Sequence, residues 1–174
     1  MVKNIRMYPA TDKDIKGLAR IMRSNIEIYD PIMPGAFQKY ATYFEEYGVP
    51  NTYDVEMIEL DGSTIGFIGT IKITDDSIYL LALYLMREYQ SKGIGKKIID
   101  ELIHSYSAEN RKEIVLLAHK NAIWACKFYE KNGFQLISMD EGEIKNYSDR
   151  ILEKHYIRNS VLYSYKLSKK EANL

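Results

Sequence analysis

With 174 residues and 46% hydrophobic content, the chain is long enough to bury one core without disulfide or metal support, and one domain over 1–174 is expected. Lysine plus arginine equals aspartate plus glutamate, 24 each, so no global field draws nucleic acid or an anionic membrane and any charge-driven binding must be local. The lone Cys126 makes no internal disulfide, no signal peptide or membrane-length apolar run is present, and three histidines without paired Cys/His spacing give no zinc site, so a cytoplasmic protein without a metal is expected.

The first element is a short strand, Asn4 to Tyr8, ended by Pro9. Thr11, with Asp12 and Asp14 behind it, has the form of a helix cap and acidic first turn, and Ile15, Leu18, Ala19, Met22 and Ile26 make one stripe of the helix that follows. A second helix is predicted over Pro34 to Tyr47. Tyr29, Tyr40, Tyr43, Phe44 and Tyr47 lie in and between these helices with Glu27, Asp30, Glu45 and Glu46. Rings and carboxylates together attract an ammonium group, but aromatic residues at helical spacing are more often the core and rim of amphipathic helices, and the spacing favours that reading.

Val55–Leu60, the turn Asp61-Gly62 and Thr64–Ile73 read as a β-hairpin. Gly66 and Gly69 in its second arm mark a bulge or a close backbone neighbour rather than a binding site. After Asp75-Asp76-Ser77 comes Ile78–Met86, an unbroken apolar run that predicts a strand buried on both faces. A polar turn, Arg87 to Lys92, follows. Beyond Gly93, Ile94, Ile98, Ile99, Leu102, Ile103 and Tyr106 recur at helical spacing and leave Lys96, Lys97, Asp100 and Glu101 toward water.

A strand, a glycine-bearing turn and a helix in succession leave the helix's first N–H groups unpaired, where the helix dipole favours an anion. Gly93 and Gly95 remove Cβ atoms there, and Lys92, Lys96 and Lys97 add positive charge, so the local chemistry is that of a phosphate or pyrophosphate site. Two familiar glycine motifs fail. A P-loop needs four residues between its glycines and a Gly-Lys-Ser/Thr ending, and a dinucleotide fingerprint needs a third glycine where Ile98 stands.

Further on, Glu113–Ala118 reads as a second fully apolar strand, parallel to the first through the intervening helix, and the carboxyl ends of such strands are where sites lie. Asn121–Lys131 is a predicted helix with Ala122, Ala125, Cys126 and Tyr129 on one side, stopped by Asn132-Gly133, and Phe134 opens another strand. Met139 to Asn159 is charged, Val161–Leu167 is the expected last strand, and Lys169–Leu174 is expected to fray.

Gln90-Ser91-Lys92-Gly93-Ile94-Gly95, directly after a buried strand, resembles the Gln-x-x-Gly-x-Gly pyrophosphate signature of the GNAT superfamily, the acyl-CoA-dependent N-acetyltransferases. Ala125 to Phe134, a helix bearing a tyrosine and ending in Gly-Phe, resembles that superfamily's second signature, in the expected order. The likeness covers residues 3–139 and leaves 140–174 as a variable C-terminal segment and last strand. It implies an α/β fold: a mostly antiparallel sheet of about six or seven strands, flanked by helices, with a splayed parallel central pair. It also implies acetyl-CoA as cofactor, held by main-chain groups of Leu83, Tyr84 and Leu85 and, at the diphosphate, by Gln90, Ser91, Lys92, Gly93, Ile94, Gly95 and Lys96.

A helical asparagine that touches the cofactor in the family maps to Asn121, although it stands eight residues before Tyr129 where seven is usual, a spacing that would select Ala122. Tyr129 by its stripe alone is a core residue. The resemblance makes it the catalytic group that hydrogen-bonds or protonates the departing thiolate. With thiols near 8.5 and phenols near 10, full proton transfer is uphill by about 2 kcal/mol, so hydrogen bonding is the larger part. Cys126 has no activating histidine beside it in sequence and its helix stripe predicts burial, which argues against it as covalent carrier.

The expected reaction is acetyl transfer to a primary amine, a protein N-terminus or a small amine, by direct attack in a ternary complex. The alternative is a non-catalytic acyl-CoA-binding or regulatory module on the same fold. Ile78–Met86 carries no acid to serve as base, leaving Glu27, Glu56 or Glu59 through water, or an acceptor that hardly needs one. A lysine-like amine costs roughly 4 to 5 kcal/mol to deprotonate at neutral pH and an α-amino group about 1 kcal/mol, which tilts the reading toward α-amino or small-amine acceptors. Tyr147, His155 and Tyr156 in the charged tail either close over the acceptor, sit at the contact of a homodimer, or belong to a solvated excursion.

Overall fold

The computed structural model describes residues 4–168, and the expectation of fraying over Lys169–Leu174 lies outside them. Seven strands form one mixed sheet in the order β1-β2-β3-β4-β5-β7-β6, with β1 Ile5–Pro9, β2 Asp54–Leu60, β3 Ser63–Lys72, β4 Ser77–Leu85, β5 Glu113–His119, β6 Gln135–Ser138 and β7 Ser160–Lys166. Only β4 and β5 run parallel among the recorded pairs, in the register Ser77↔Glu113, Ile78↔Ile114 and Tyr79↔Val115. Helices flank the sheet, so the α/β class read from the sequence stands. The described residues fold as two compact units, 4–71 with 81–95, and 72–80 with 96–168.

In the first unit, β1 pairs antiparallel with β2 and β2 with β3. Asp61 and Gly62, both left-handed at φ 49° and 84°, make the two-residue turn between β2 and β3 whose twist suits a hairpin. Val55, Met57, Phe67 and Ala82 pack against helices α1 (Ile15–Ser24) and α3 (Ala36–Tyr47) through Leu18, Ile21, Met22, Phe37, Ala41 and Phe44. The helix expected to run from Thr11 through Ile26 is in fact three pieces. Asp12–Asp14 is a 3-10 turn, α1 follows, and the buried Asn25 separates α1 from the one-turn helix α2 (Ile26–Tyr29). The predicted cap is real in part: the Thr11 backbone N–H donates to Asp14 at 2.9 Å, tying the entry of the segment to its third residue.

In the second unit, β5 pairs along its whole length with β7, from Glu113↔Lys166 to His119↔Ser160, and β6 pairs with β7 at the edge. Helix α4 (Ile94–Ala108) follows the sequence pattern, with Ile98, Ile99 and Leu102 buried and Lys96, Lys97, Asp100 and Glu101 exposed. Helix α5 (Ile123–Lys131) begins two residues later than expected and ends before Gly133, which sits at φ 89° as a left-handed stop. The charged tail is not a solvated excursion throughout. Helix α6 (Glu141–Arg150) starts with the Asp140 side chain capping the Glu143 N–H, and Ile144 and Leu152 are fully buried.

Candidate active site

The segment from the end of β4 to the start of α4 carries the turn and helix start that the sequence singled out. Met86 leaves the strand, Arg87–Tyr89 forms a single 3-10 turn, and the chain then passes through two left-handed residues, Ser91 at φ 59° and Gly93 at φ 77°, before α4 begins at Ile94. A Cβ placed on Gly93 would meet no atom within 4 Å, so the glycine is required by its backbone angle and the space before it is open. Ile94 and Gly95 occupy the first turn of α4, whose leading N–H groups have no carbonyl one turn back. Ser91, Lys92 and Gly93 are exposed. The Lys92 ammonium stands 5.7 Å from the centre of the Tyr89 ring, and Lys96 pairs with Asp100 at 2.5 Å on the exposed face of α4. Open main-chain donors, a helix N-terminus and lysines fit a diphosphate.

Leu83, Tyr84 and Leu85 close β4 in the same unit. Their backbone is approached closely from β3: a Cβ on Gly66 would lie 2.5 Å from the Tyr84 carbonyl oxygen and 2.6 Å from a methyl of Leu85. The expectation of a close backbone neighbour at Gly66 therefore holds, and the β2–β3 register also slips by a bulge between Ile58 and Glu59, opposite this point. The Leu85 carbonyl accepts two side-chain donors, Gln90 Nε2 at 2.9 Å and Asn25 Nδ2 at 3.0 Å. Gln90 thus brings the strand end and the loop together, whereas the sequence assigned it to the ligand.

In the second unit, Asn121 precedes α5 and is exposed, its N–H donating to His119 Nδ1 at 3.2 Å, while Ala122, the alternative at that point, is buried. Tyr129 lies half-buried on α5 with ring centroids 5.2 Å from Phe128, 5.5 Å from Phe134 and 6.5 Å from Tyr163. Cys126 is partly buried, and burial pushes its thiol up from the usual range. A thiol held protonated is a poor nucleophile.

The aromatic residues of the first unit divide between interior and surface. Tyr29 stacks on the buried Phe37 at 4.1 Å, and Tyr84 meets both edge-on, at 6.1 Å from Tyr29 and 5.2 Å from Phe37, while Tyr40, Tyr43 and Tyr47 are exposed. Of the carboxylates considered as bases, Glu27 is exposed and Glu56 half-buried, and burial with the nearby Asp54 raises the Glu56 carboxyl above its ordinary value. Strand alternation turns Glu56 away from Val55 and Met57, and so away from the helix-covered face to which Tyr29 and Tyr84 belong. The described residues contain no group of three or more His, Cys, Asp or Glu that could hold a metal, and no helix among them is long and apolar enough to cross a membrane.

Sequence reasoning missed Asn25 and Arg87. Asn25 looks like an ordinary polar interruption of a helix, and its partner Gln90 stands 65 residues away. Arg87 was read as turn, yet it donates to the Gln90 Oε1 at 3.0 Å and fixes which way that amide faces. A polar residue on the apolar stripe between Met22 and Ile26 was the available signal.

The model of the acetyltransferase (GNAT) family matches residues 22–134. Over 96 residues the chain is 36% identical to a spermidine N(1)-acetyltransferase of Thermoplasma acidophilum, and the match spans 55% of each protein, about half the length of that curated relative. The PaiA N-acetyltransferase of the same organism, solved in complex with coenzyme A, superposes with a TM-score of 0.74 at 20% identity, over 94% of this chain and 99% of that one. An N-acetylglutamate synthase from Neisseria gonorrhoeae, solved with coenzyme A and N-acetyl-glutamate, gives 0.65 at 19% identity over 95% of this chain and 35% of that one.

Proposed function

The chain belongs to the acetyltransferase (GNAT) family, and from this we propose that it transfers an acetyl group from acetyl-CoA to a primary amine of a small molecule by direct attack in a ternary complex. The observation that carries the proposal is the Gln90–Gly95 turn, which delivers left-handed Ser91 and Gly93 and the start of α4 to one open spot at the end of β4. Main-chain donors there, from Ser91 to Lys96, are assigned to the diphosphate, and backbone groups of Leu83, Tyr84 and Leu85 to the pantetheine arm. A bound thioester supplies the electrophilic carbonyl. Oriented backbone dipoles near that carbonyl favour charge developing on its oxygen.

Tyr129 is assigned to the departing sulfur. Its phenol needs only to donate a hydrogen bond as negative charge builds there, since complete proton transfer would be uphill by about 2 kcal/mol. The protonated state of Cys126 supports direct attack over an acetyl-cysteine intermediate. Asn121 is retained as a coenzyme contact through its exposed side chain. Residues 1–174 are proposed as one catalytic domain. A reducing cytoplasm is the proposed compartment, in keeping with a single unpaired cysteine.

Small amines are placed before protein N-termini because the curated relative is named for spermidine. The second reading, an α-amino acceptor, has its own observation: β4 carries no acid, and such an amine needs the least help to lose its proton. Thiol release from acetyl-CoA, followed over a panel of polyamines, free lysine and N-terminal peptides, separates these. Release driven by polyamines at neutral pH supports the first reading and removes the second. Coenzyme A binding with no amine-dependent release over the whole panel would leave a non-catalytic acyl-CoA module.

A further inference from the structure

We infer that Asn25, at the break between α1 and α2, is a positioning residue that sets the spacing between the two parts of the coenzyme site, the end of β4 and the diphosphate turn. The inference rests on the coenzyme reading above. Asn25 is 1% exposed, although an asparagine between two helices is ordinarily at the surface. Its amide nitrogen donates to the carbonyls of Ile21 at 2.9 Å and Leu85 at 3.0 Å, and its oxygen accepts from Gln90 Nε2 at 2.8 Å. Gln90 Nε2 also donates to the Leu85 carbonyl at 2.9 Å, and Gln90 Oε1 accepts from Arg87.

The hydrogen bonds form a closed figure. Leu85 ends the strand whose backbone is assigned to pantetheine, and Gln90 adjoins Ser91, where the diphosphate donors begin. Four residues, Met86 to Tyr89, separate them in the chain; Arg87 and Glu88 are exposed, and beyond the Met86 N–H bond to the Ile65 carbonyl at 2.8 Å the backbone is held by a single 3-10 turn. Asn25 grips both ends of the span from outside it. The contacts of Asn25 to Ile21 and Leu85 are buried, where an orphaned donor or acceptor is costly, and those to Gln90 and, at 3.4 Å, to the Ser24 hydroxyl are partly buried. Coenzyme A joins a diphosphate to a pantetheine arm covalently, and its affinity depends on both being met at their proper separation.

The test is the dissociation constant for coenzyme A, measured by calorimetry alongside the melting temperature, for wild type, Asn25→Ala, Asn25→Asp and Gln90→Ala. Asn25→Ala is expected to weaken coenzyme A roughly tenfold while ADP, which engages only the diphosphate turn, is weakened less than about twofold. Equal weakening of both ligands, or of neither, in a folded variant overturns the inference. Gln90→Ala cuts the same link from the partly exposed side and is the variant to read if Asn25→Ala does not fold; its expected pattern is the same, and the double variant is expected to be no weaker than the weaker single.

Asn25→Asp supplies a signature that general destabilisation lacks. Its second oxygen would face the Ile21 and Leu85 carbonyls, with Arg87 the charged group bonded into the network through Gln90. Ionised, that oxygen repels both carbonyls; protonated, it donates to one of them. Coenzyme A affinity of this variant relative to wild type is therefore expected to recover as pH falls from 8 to 5, and a ratio constant over that range counts against the positioning role. Wild-type protein that binds no coenzyme A at all would instead remove the functional proposal itself.

Discussion

Two glycines near β4 serve opposite needs, and substitution distinguishes them. At Gly66 the angle is ordinary and the space is missing, since an added methyl would stand 2.5 Å from a backbone oxygen that has little room to retreat. At Gly93 the space is open and the angle, φ 77°, is what excludes other residues. Gly66→Ala is accordingly expected to cost about 2 to 3 kcal/mol in urea unfolding through overpacking. Gly93→Ala should cost about 1 kcal/mol, and Gly93→Asn less, because asparagine tolerates the left-handed region. Equal losses for alanine and asparagine at Gly93 would mean that contact, not conformation, governs the position. From sequence Gly66 read as a bulge or close backbone neighbour and Gly93 as a glycine that clears Cβ from a phosphate, and only the fold shows that the first is steric and the second conformational. The turn motif was legible because its residues form a contiguous run. Asn25 was not, because its meaning lies in a residue 65 positions away.

Among the elements, the second unit is tied together at the start of β5 by one carboxylate. Glu113 is 8% exposed and accepts from Tyr147 at 2.8 Å, Ser164 at 2.7 Å and Ser77 at 3.3 Å, with Lys166 also paired to it, so β4, β5, β7 and α6 meet at one group. Burial alone would raise its carboxyl, but the bonds from Lys166, Ser164 and Tyr147 together outweigh burial and hold it below the ordinary value. The sign follows: a lowered folded pKa contributes stability that is present above the unfolded value and lost as pH falls through the folded one. Glu113→Gln is expected to unfold more easily than wild type by about 1 to 2 kcal/mol at pH 7 and to match it near pH 3, measured as urea midpoints across that range. A constant gap at both pH values would show that shape rather than charge matters there. The strand periodicity that located β5 gave no hint of this, since Glu113 reads as the polar flank of an apolar run. Helix α6 escaped for a related reason: its one buried stripe residue, Ile144, sits among charges, and the cap from Asp140 to Glu143 was its only local sign. Asp140→Ala should lower stability by about 1 kcal/mol.

For the molecule as a whole, the chain passes between its two units three times, inside β3 between Ile71 and Lys72, inside β4 between Leu80 and Leu81, and in the first turn of α4 between Gly95 and Lys96. Parting the units would break two strands and a helix, so thermal unfolding is expected to be a single cooperative transition, with calorimetric and van't Hoff enthalpies equal. Zero net charge adds no global field, so on the proposed assignment the electrostatic contribution to coenzyme binding would come from the few groups around the Gln90–Gly95 turn. Any ligand that binds only the folded state raises stability by mass action, about 2.7 kcal/mol at a hundred times its dissociation constant. For a chain of this length, about 2 to 4 °C per kcal/mol converts this to a melting-point rise of roughly 5 to 10 °C with coenzyme A. Pantetheine at the same concentration lacks the diphosphate and should raise it by no more than about a degree. If pantetheine stabilised the protein as much as coenzyme A does, the free energy of binding would lie along β4 and the open turn at Gly93 would have no part in it.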